Sequence, residues 1–257
     1  MSCFSLIWPT SLDMPEPKLA GIDTVILCGG LGTRLREVAK NLPKPMVDIN
    51  GQPFLDLIIR DASEFGLQKF ILCAGYKSEV IGDYYKQKND RLEYVLSEED
   101  APLGTGGAIV KARRLIASKI FLVLNGDSIC RIDLKQFLAF HLEKKAQVSI
   151  ALTSVDDPQD YGSVSLNENH AIMGFNEKAS VPPGAGWVNA GIYIFNREAL
   201  NAFPQGKNLS LEYDVFPSFV GEGLYGYASA ARLFDIGTPQ RLDILKEYFK
   251  TKEKDET

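Results

Sequence analysis

The chain has 257 residues, 45% of them hydrophobic, with 28 Lys and Arg against 33 Asp and Glu for a formal charge of -5. That is enough apolar material for one α/β domain with its own core, alone or with an appendage. The acidic balance and the lack of a basic tract exclude nucleic acid as the main partner, which would call for a basic face, but leave room for a small phosphorylated ligand.

Residues 1–22, beginning MSCFSLIWPTSL, hold a short apolar patch with several prolines and no basic start. They read as a surface strap or a poorly ordered extension, and neither as a secretory signal nor as a membrane span. From residue 23 the chain alternates between two periodicities. TVILC predicts a strand, and LREVAKNL predicts a helix, with Leu35, Val38, Ala39 and Leu42 on one face and Pro43 ending it. MVDI is short and extended, and Asn50-Gly51 makes a turn. PFLDLIIRDASEF predicts a helix between Pro53 and Gly66. KFILCA is a strand, SEVIGDYYKQ a helix with Ser78 as its cap, and LEYVLS a strand. A Gly-rich loop follows, then the helix GAIVKARRLIAS, the strand IFLVLN, the helix LKQFLAFHLEKK and the strand VSIALTSV.

Strands that are apolar throughout, separated by amphipathic helices, predict a mainly parallel sheet covered on both faces. Past residue 155 the texture changes to a hairpin turning at residues 167–169, the strand WVNAGIYIF and the strand-like ARLFDIG. TPQRLDILKEYF is a closing helix with Thr238 as cap and Pro239 first inside, and residues 251–257 form a charged tail that frays. The expected organisation is a single domain over residues 23–250. Residues 23–155 form its first half, and residues 156–250 a second half that adds a smaller β flank suited to binding a substrate. The segment LEYDVFPSFV is compatible with a helix near the ligand or with a subunit contact, and a homo-oligomer is left open.

Cys28, Cys73 and Cys130 lie in or beside strand-like runs, and the four cysteines lack paired metal-site spacing. They read as buried thiols in a reducing cytosol. His141 and His170, the only histidines, sit in a helical pattern and in a turn, which leaves no histidine-based zinc site.

Three stretches carry chemistry. CGGLGTRLR follows its strand directly, so backbone N–H groups of a glycine turn would face an anion at the carboxyl edge of the sheet. It is neither a P-loop nor a dinucleotide fingerprint. Arg34 stands beside the glycines, and Lys44 lies between two prolines, where the following proline holds it extended. PLGTGGA puts a second glycine loop at the same edge, where the backbone of Gly104 and Thr105 reaches a base without side-chain bulk. NGD and DIG each deliver an aspartate, Asp127 and Asp235, from a strand end. The early helix at Leu134 leaves little room for a return strand after Asn125-Gly126. Two carboxylates at one edge are what Mg²⁺ takes, together with waters and phosphate oxygens.

In order along the chain, GGLGTRL, PKPM, PLGTGGA, NGD, FNEK, VNAGIY and DIGTP resemble the sugar-1-phosphate nucleotidyltransferases. INGQPFL, LGTGGA, SLEYD and the short length look most similar to the D-glycero-D-manno-heptose 1-phosphate guanylyltransferases. The resemblance implies a Rossmann-like α/β fold of the nucleotide-diphospho-sugar transferase type. It also implies Mg²⁺-dependent transfer of a nucleoside monophosphate from an NTP, GTP foremost, to a sugar 1-phosphate, with pyrophosphate released. Leu27, Gly29, Gly30, Gly32 and Thr33 would then hold the nucleotide, with Arg34 on the departing pyrophosphate and Lys44 on the α-phosphate. Arg34, Lys44 and Asp127 would be catalytic, and Asp127 and Asp235 would bind Mg²⁺. Gly162, Glu177 and Asn189 would hold the sugar, and Lys178 its phosphate. The chain departs from the family in its longer start, in Glu-Lys-Ala for the frequent Glu-Lys-Pro, and in lacking a hexapeptide-repeat tail. Neighbouring readings are thymidylyl, uridylyl or cytidylyl transfer to a hexose 1-phosphate. A non-catalytic nucleotide-sugar sensor is disfavoured by the presence of Arg34, Lys44, Asp127, Lys178 and Asp235 together. A nicotinamide-dependent dehydrogenase is disfavoured by the glycine pattern. The expected setting is cytoplasmic, with no membrane and no nucleic acid as partner.

Overall fold

A computed structural model describes residues 18–30, 42–155, 163–176, 186–204 and 208–255. The predicted helix over residues 35–42 falls almost wholly outside them, as do Gly32, Thr33, Arg34, Gly162, Glu177 and Lys178.

The central strand is β1 (Asp23–Leu27), which pairs in parallel with β4 (Lys69–Ala74) on one side and β6 (Ile120–Asn125) on the other. Beyond β4 lies β5 (Glu93–Glu98), also parallel. Beyond β6 the long strand β11 (Trp187–Asn196) runs antiparallel, followed by β8 (Val148–Thr153) and then β12 (Leu224–Ser229), parallel to β8. The hairpin β9 (Ser163–Leu166) and β10 (Ile172–Asn176) is carried on the first residues of β11. β11 alone breaks the parallel run of the seven-strand path, and the fold is the mixed, mainly parallel sheet with a β flank that the sequence predicts. β12 is a strand the hydrophobic pattern does not announce, because LYGYAS carries a glycine and is too short to show a period.

Alternate side chains of the strands pass to opposite faces, and each face has its own apolar core. Ile26, Phe70, Leu72, Leu122 and Leu124 pack under α1 (Phe54–Ser63), α2 (Ser78–Lys86), α4 (Leu134–Glu143) and α5 (Pro239–Asp255). Val25, Ile71, Phe121, Val123 and Ile150 pack under α3 (Gly104–Ala112) and a helical turn over Leu211–Val215. Burial on both sides explains why these strands read as continuous apolar runs.

Several local expectations change. Ser78 is the first residue of α2, not its cap; Lys77 caps in the left-handed region at φ 53°, while the Ser78 hydroxyl donates to Glu98. Lys44 opens a single 3₁₀ turn, Lys44–Met46, instead of standing extended; hydrogen bonds from Met46 N and Val47 N and the burial of Pro45 and Met46 override the pre-proline bias. A short strand, β7 (Ser128–Cys130), does follow Asp127, but it pairs with β13 (Leu233–Asp235) and not with β6. Leu19, assigned to the extension, is buried in the core. The tail expected to fray continues α5 to Asp255, consistent with its helix-forming Lys and Glu. The turn at Asn50-Gly51 joins β2 (Asp48–Ile49) to β3 (Gln52–Pro53), both turn residues having positive φ. Thr238 caps α5 as expected, accepting from Arg241 N.

His141 is buried under β8 and β11. Its Nδ1 lies 2.9 Å from the Ser149 hydroxyl and its Nε2 3.4 Å from Asn196 Oδ1. Asn196 Nδ2 donates to the Ala146 carbonyl, so Oδ1 faces the ring and Nε2 carries the proton. Burial pushes the imidazole down to about 4, against a partial upward pull from Asn196. A depressed histidine pKa means that the unfolded chain takes up the proton first as pH falls. Stability is therefore expected to decline from about pH 6.5 to about pH 4, by at most about 3 kcal/mol. Chemical denaturation across this window should show His141→Gln losing the part of the pH dependence that the wild type has there.

Candidate active site

From β1 the chain crosses to β4 and β5, then returns to place β6 on the other side of β1. This reversal opens a crevice at the carboxyl ends of β1 and β6, where open α/β sheets take their ligands. Cys28, Gly29 and Gly30 leave β1 here, and Asn125, Gly126 and Asp127 leave β6. Gly126 N–H donates to the Leu27 carbonyl over 3.0 Å, and a Cβ on Gly126 would stand only 2.6 Å from that oxygen. No side chain fits there, so glycine is what lets the two strand ends approach. A cavity of about 450 Å³ lies over them, walled by Leu27, Gly29, Gly30, Lys44, Gly104, Thr105 and Asp127 together with residues from the second half of the chain.

Lys44 and Asp127 meet inside this cavity, Nζ donating to Oδ2 over 2.6 Å. The lysine is largely sheltered, with 15% of its side chain exposed, whereas Asp127 keeps 45%. One partner can thus be exchanged for solvent or ligand while the other stays held by the fold. Cys28 also borders the cavity, but burial foremost, then neighbouring Cys73, Asp127 and Glu99, drives its thiol well above the usual range. It is a neutral wall group and no nucleophile.

The second glycine stretch is not a loop. Gly104 to Gly107 form the first turn of α3. Gly104 has φ +72°, and a Cβ there would collide with the Leu209 carbonyl and the Asn208 side chain. Gly106 and Gly107 N–H both point at that carbonyl, and Thr105 Oγ1 accepts from Leu211 N over 2.8 Å. The helix start is therefore tied to residues 208–211 rather than open to an anion, and these residues become a wall of the cavity.

Asp235 ends β13, and Asp127 immediately precedes β7, the strand that pairs with it. Asp235 is opposite Ser128, and Ile236 N–H donates to the Asp127 carbonyl over 3.0 Å. The Asp235 carboxylate takes Gly237 N–H at 2.7 Å and an Arg241 guanidinium nitrogen at 3.2 Å. It faces a neighbouring cleft shared with Arg241. Asn189 sits just before a bulge in β11, where the register against β8 shifts. Its Oδ1 accepts from Gly191 N, and its Nδ2 donates to the Tyr193 hydroxyl at 2.9 Å and to Glu212 Oε1 at 3.1 Å. Burial first, then the Glu212 carboxylate, keeps the Tyr193 phenol far above its ordinary pKa and hence neutral.

Glu99, Tyr193, Asn208 and Glu212 all line the cavity and have no role in the reading of the sequence, although Tyr193 stands within VNAGIY and Glu212 within SLEYD. Glu99 hides in the acidic run SEED, which looks like a solvated turn. Glu212 lies in a segment whose environment the sequence leaves open.

This strand order, with a cleft at its reversal point, places the protein among the Rossmann-like open α/β folds. More narrowly, the chain belongs to the nucleotidyl transferase family, which it matches over residues 23–250. It is 35% identical over 219 residues to the D-glycero-alpha-D-manno-heptose 1-phosphate guanylyltransferase of Aneurinibacillus thermoaerophilus, covering 85% of this chain and 94% of that one. It is 36% identical over 225 residues to the mannose-1-phosphate guanylyltransferase of Mycobacterium tuberculosis, covering 85% of this chain but only 62% of that protein. The crystal structure of HddC from Yersinia pseudotuberculosis complexed with GMP-PN superimposes with a TM-score of 0.78 at 35% identity, over 89% of this chain and 99% of that one.

Substituting Gly104 by alanine forces a left-handed conformation and a clash with a backbone carbonyl. Gly104→Ala is expected to lose about 2–3 kcal/mol of stability, read as a lower denaturation midpoint.

Proposed function

We propose that the protein is a sugar-1-phosphate nucleotidyltransferase that moves GMP from GTP to a manno-configured sugar 1-phosphate, D-glycero-D-manno-heptose 1-phosphate foremost. The observation that carries this reading is the Lys44–Asp127 pair, set between the glycines after β1 and the start of α3. In the reaction a phosphate oxygen of the sugar attacks the α-phosphorus. The bond from that phosphorus to its bridging oxygen breaks, and pyrophosphate leaves. The nucleophile is already anionic and needs no general base. The barrier is the approach of two polyanions, which positioned cations relieve. Lys44 would meet the α-phosphate, Gly29 and Gly30 the nucleotide's phosphates, Arg34 the departing pyrophosphate and Lys178 the sugar phosphate.

Asp127 and Asp235 would hold Mg²⁺. Asp127 offers a hard carboxylate that is open to solvent, whereas the Asp235 carboxylate, at the end of the adjoining strand, is held by Arg241 in the neighbouring cleft and would join such a cation by leaving that pair. Among the described residues no group of three metal-binding side chains is assembled, so such a cation would complete its shell from water and phosphate. When bound, it neutralises charge on the phosphate oxygens.

The choice of base is supported by Glu99. Its Oε2 accepts from Leu103 N, while Oε1 lies against Gly29, 2.8 Å from where a Cβ would be. Guanine offers two adjacent donors on one edge, N1–H and the N2 amino group, and a carboxylate can accept both. Adenine, cytosine, thymine and uracil offer no such pair. The heptose and mannose guanylyltransferases among the relatives support the same base and a manno-configured sugar. A cytosolic setting is supported by the buried free thiols of Cys28, Cys73 and Cys130. Among the described residues no helix is long and apolar enough to cross a membrane.

Pyrophosphate release, followed over a panel of NTPs and sugar 1-phosphates, tests the reading. GTP with a manno-configured 1-phosphate should turn over fastest, and Glu99→Gln should erode the preference for GTP about tenfold or more. Absence of turnover with every pair would refute the assignment. Lys44→Ala is expected to lower kcat by roughly 10²–10³ with the melting temperature nearly unchanged. Asp127→Asn should raise the Mg²⁺ concentration needed for half-maximal rate.

A further inference from the structure

Glu212 is an anomaly in a cavity built for polyanions. It is exposed, and among the described residues it has no cationic partner; the hydrogen bond it receives comes from Asn189 Nδ2. Its backbone is nevertheless firmly placed. Ser210 Oγ accepts from Tyr213 N, Asp214 Oδ2 accepts from Ser210 N over 2.7 Å, and Leu211 N is tied to Thr105. Leu211 and Val215 are buried on either side. The fold thus uses several hydrogen bonds to present to the cavity a negative charge that no cation among the described residues pairs with. On the phosphate side such a charge would only weaken binding. A carboxylate is, however, a strong acceptor for hydroxyl groups, and it repels a phosphate placed where a hydroxyl belongs.

Resting on the function proposed above, we infer that Glu212, oriented by Asn189, marks the hydroxyl end of the acceptor pocket. It accepts from sugar hydroxyls and, by charge, excludes acceptors that carry a second phosphate. It is a specificity-determining residue: it reads which sugar phosphate enters and takes no part in bond making. The wall that bears it is the same one that buttresses α3, so the pocket's selectivity is anchored to the nucleotide side through Thr105 and the Leu209 carbonyl.

The test uses the full chain with GTP and Mg²⁺. Its acceptor is D-glycero-D-manno-heptose 1-phosphate or mannose 1-phosphate, whichever turns over faster, compared with the corresponding 1,7- or 1,6-bisphosphate. In Glu212→Gln, which keeps shape and removes charge, KM for the monophosphate should rise about tenfold, while KM for GTP and kcat stay within about twofold. The ratio of kcat/KM for bisphosphate over monophosphate should rise at least tenfold, and Glu212→Asp should restore the wild-type ratio. An unchanged ratio in Glu212→Gln overturns the inference even if KM rises, as does a parallel loss in KM for GTP and kcat, which would mark a structural role. A wild type active on monophosphates separates such a failure from a failure of the parent reading, which would show as no transfer at all.

Discussion

The site depends on one close approach of backbone to backbone: Gly126 against the Leu27 carbonyl, where the ends of β1 and β6 come together. β1 is hydrogen bonded along its length to both β4 and β6, so its end cannot shift without disturbing the centre of the sheet. Every group on the phosphate side is referenced to that point. Gly29 and Gly30 leave one strand, Asp127 leaves the other, and Lys44 reaches in from a 3₁₀ turn pinned by the buried Pro45 and Met46. A side chain at position 126 would part the two ends and separate the aspartate from the glycine turn.

The charges at this edge come as balanced pairs, Lys44 with Asp127 and Arg241 with Asp235, the two aspartates standing just before β7 and at the end of its partner β13. A pair of this kind lets a charged group wait in a half-buried cleft without the full cost of an isolated ion. Glu212 and Glu99 are held differently, by neutral donors, and each stands where a ligand can supply the missing donors. The cavity thereby divides into regions of unlike chemistry: the Lys44 ammonium where phosphate is expected, the Glu99 and Glu212 carboxylates where a base edge and sugar hydroxyls are expected.

The segment that joins these regions was the least legible part of the chain. Residues 208–219 fold as a π turn followed by a 3₁₀ turn, with no period to betray them, and their backbone caps α3 through the Leu209 carbonyl. The glycines of LGTGG suggest a loop because glycine is a poor helix former. Gly104 lies against the chain at residues 208–209, at a positive φ, and the tertiary approach overrides propensity. The same override moved Ser78 off the cap of α2, its hydroxyl taken by Glu98, and turned Lys44 into a 3₁₀ turn, where burial of Pro45 and Met46 adds to two local hydrogen bonds.

Hydrophobic period and punctuation by Gly and Pro were sufficient by themselves to establish the alternation of strands and helices, the mainly parallel character of the sheet and the edge at which the cavity opens. These follow from local sterics and from burial on both faces, which leave their mark on consecutive residues. Ordered motifs also placed Lys44, Asp127, Gly29 and Gly104 at that edge. Only the folded chain decided that Lys44 would pair with Asp127, that Asp235 would turn toward Arg241, and that Glu99, Tyr193 and Glu212 would close the cavity. Such meetings join residues far apart in the chain, 83 positions for Lys44 and Asp127, and are set by strand order and register, for which short stretches of sequence carry no signal.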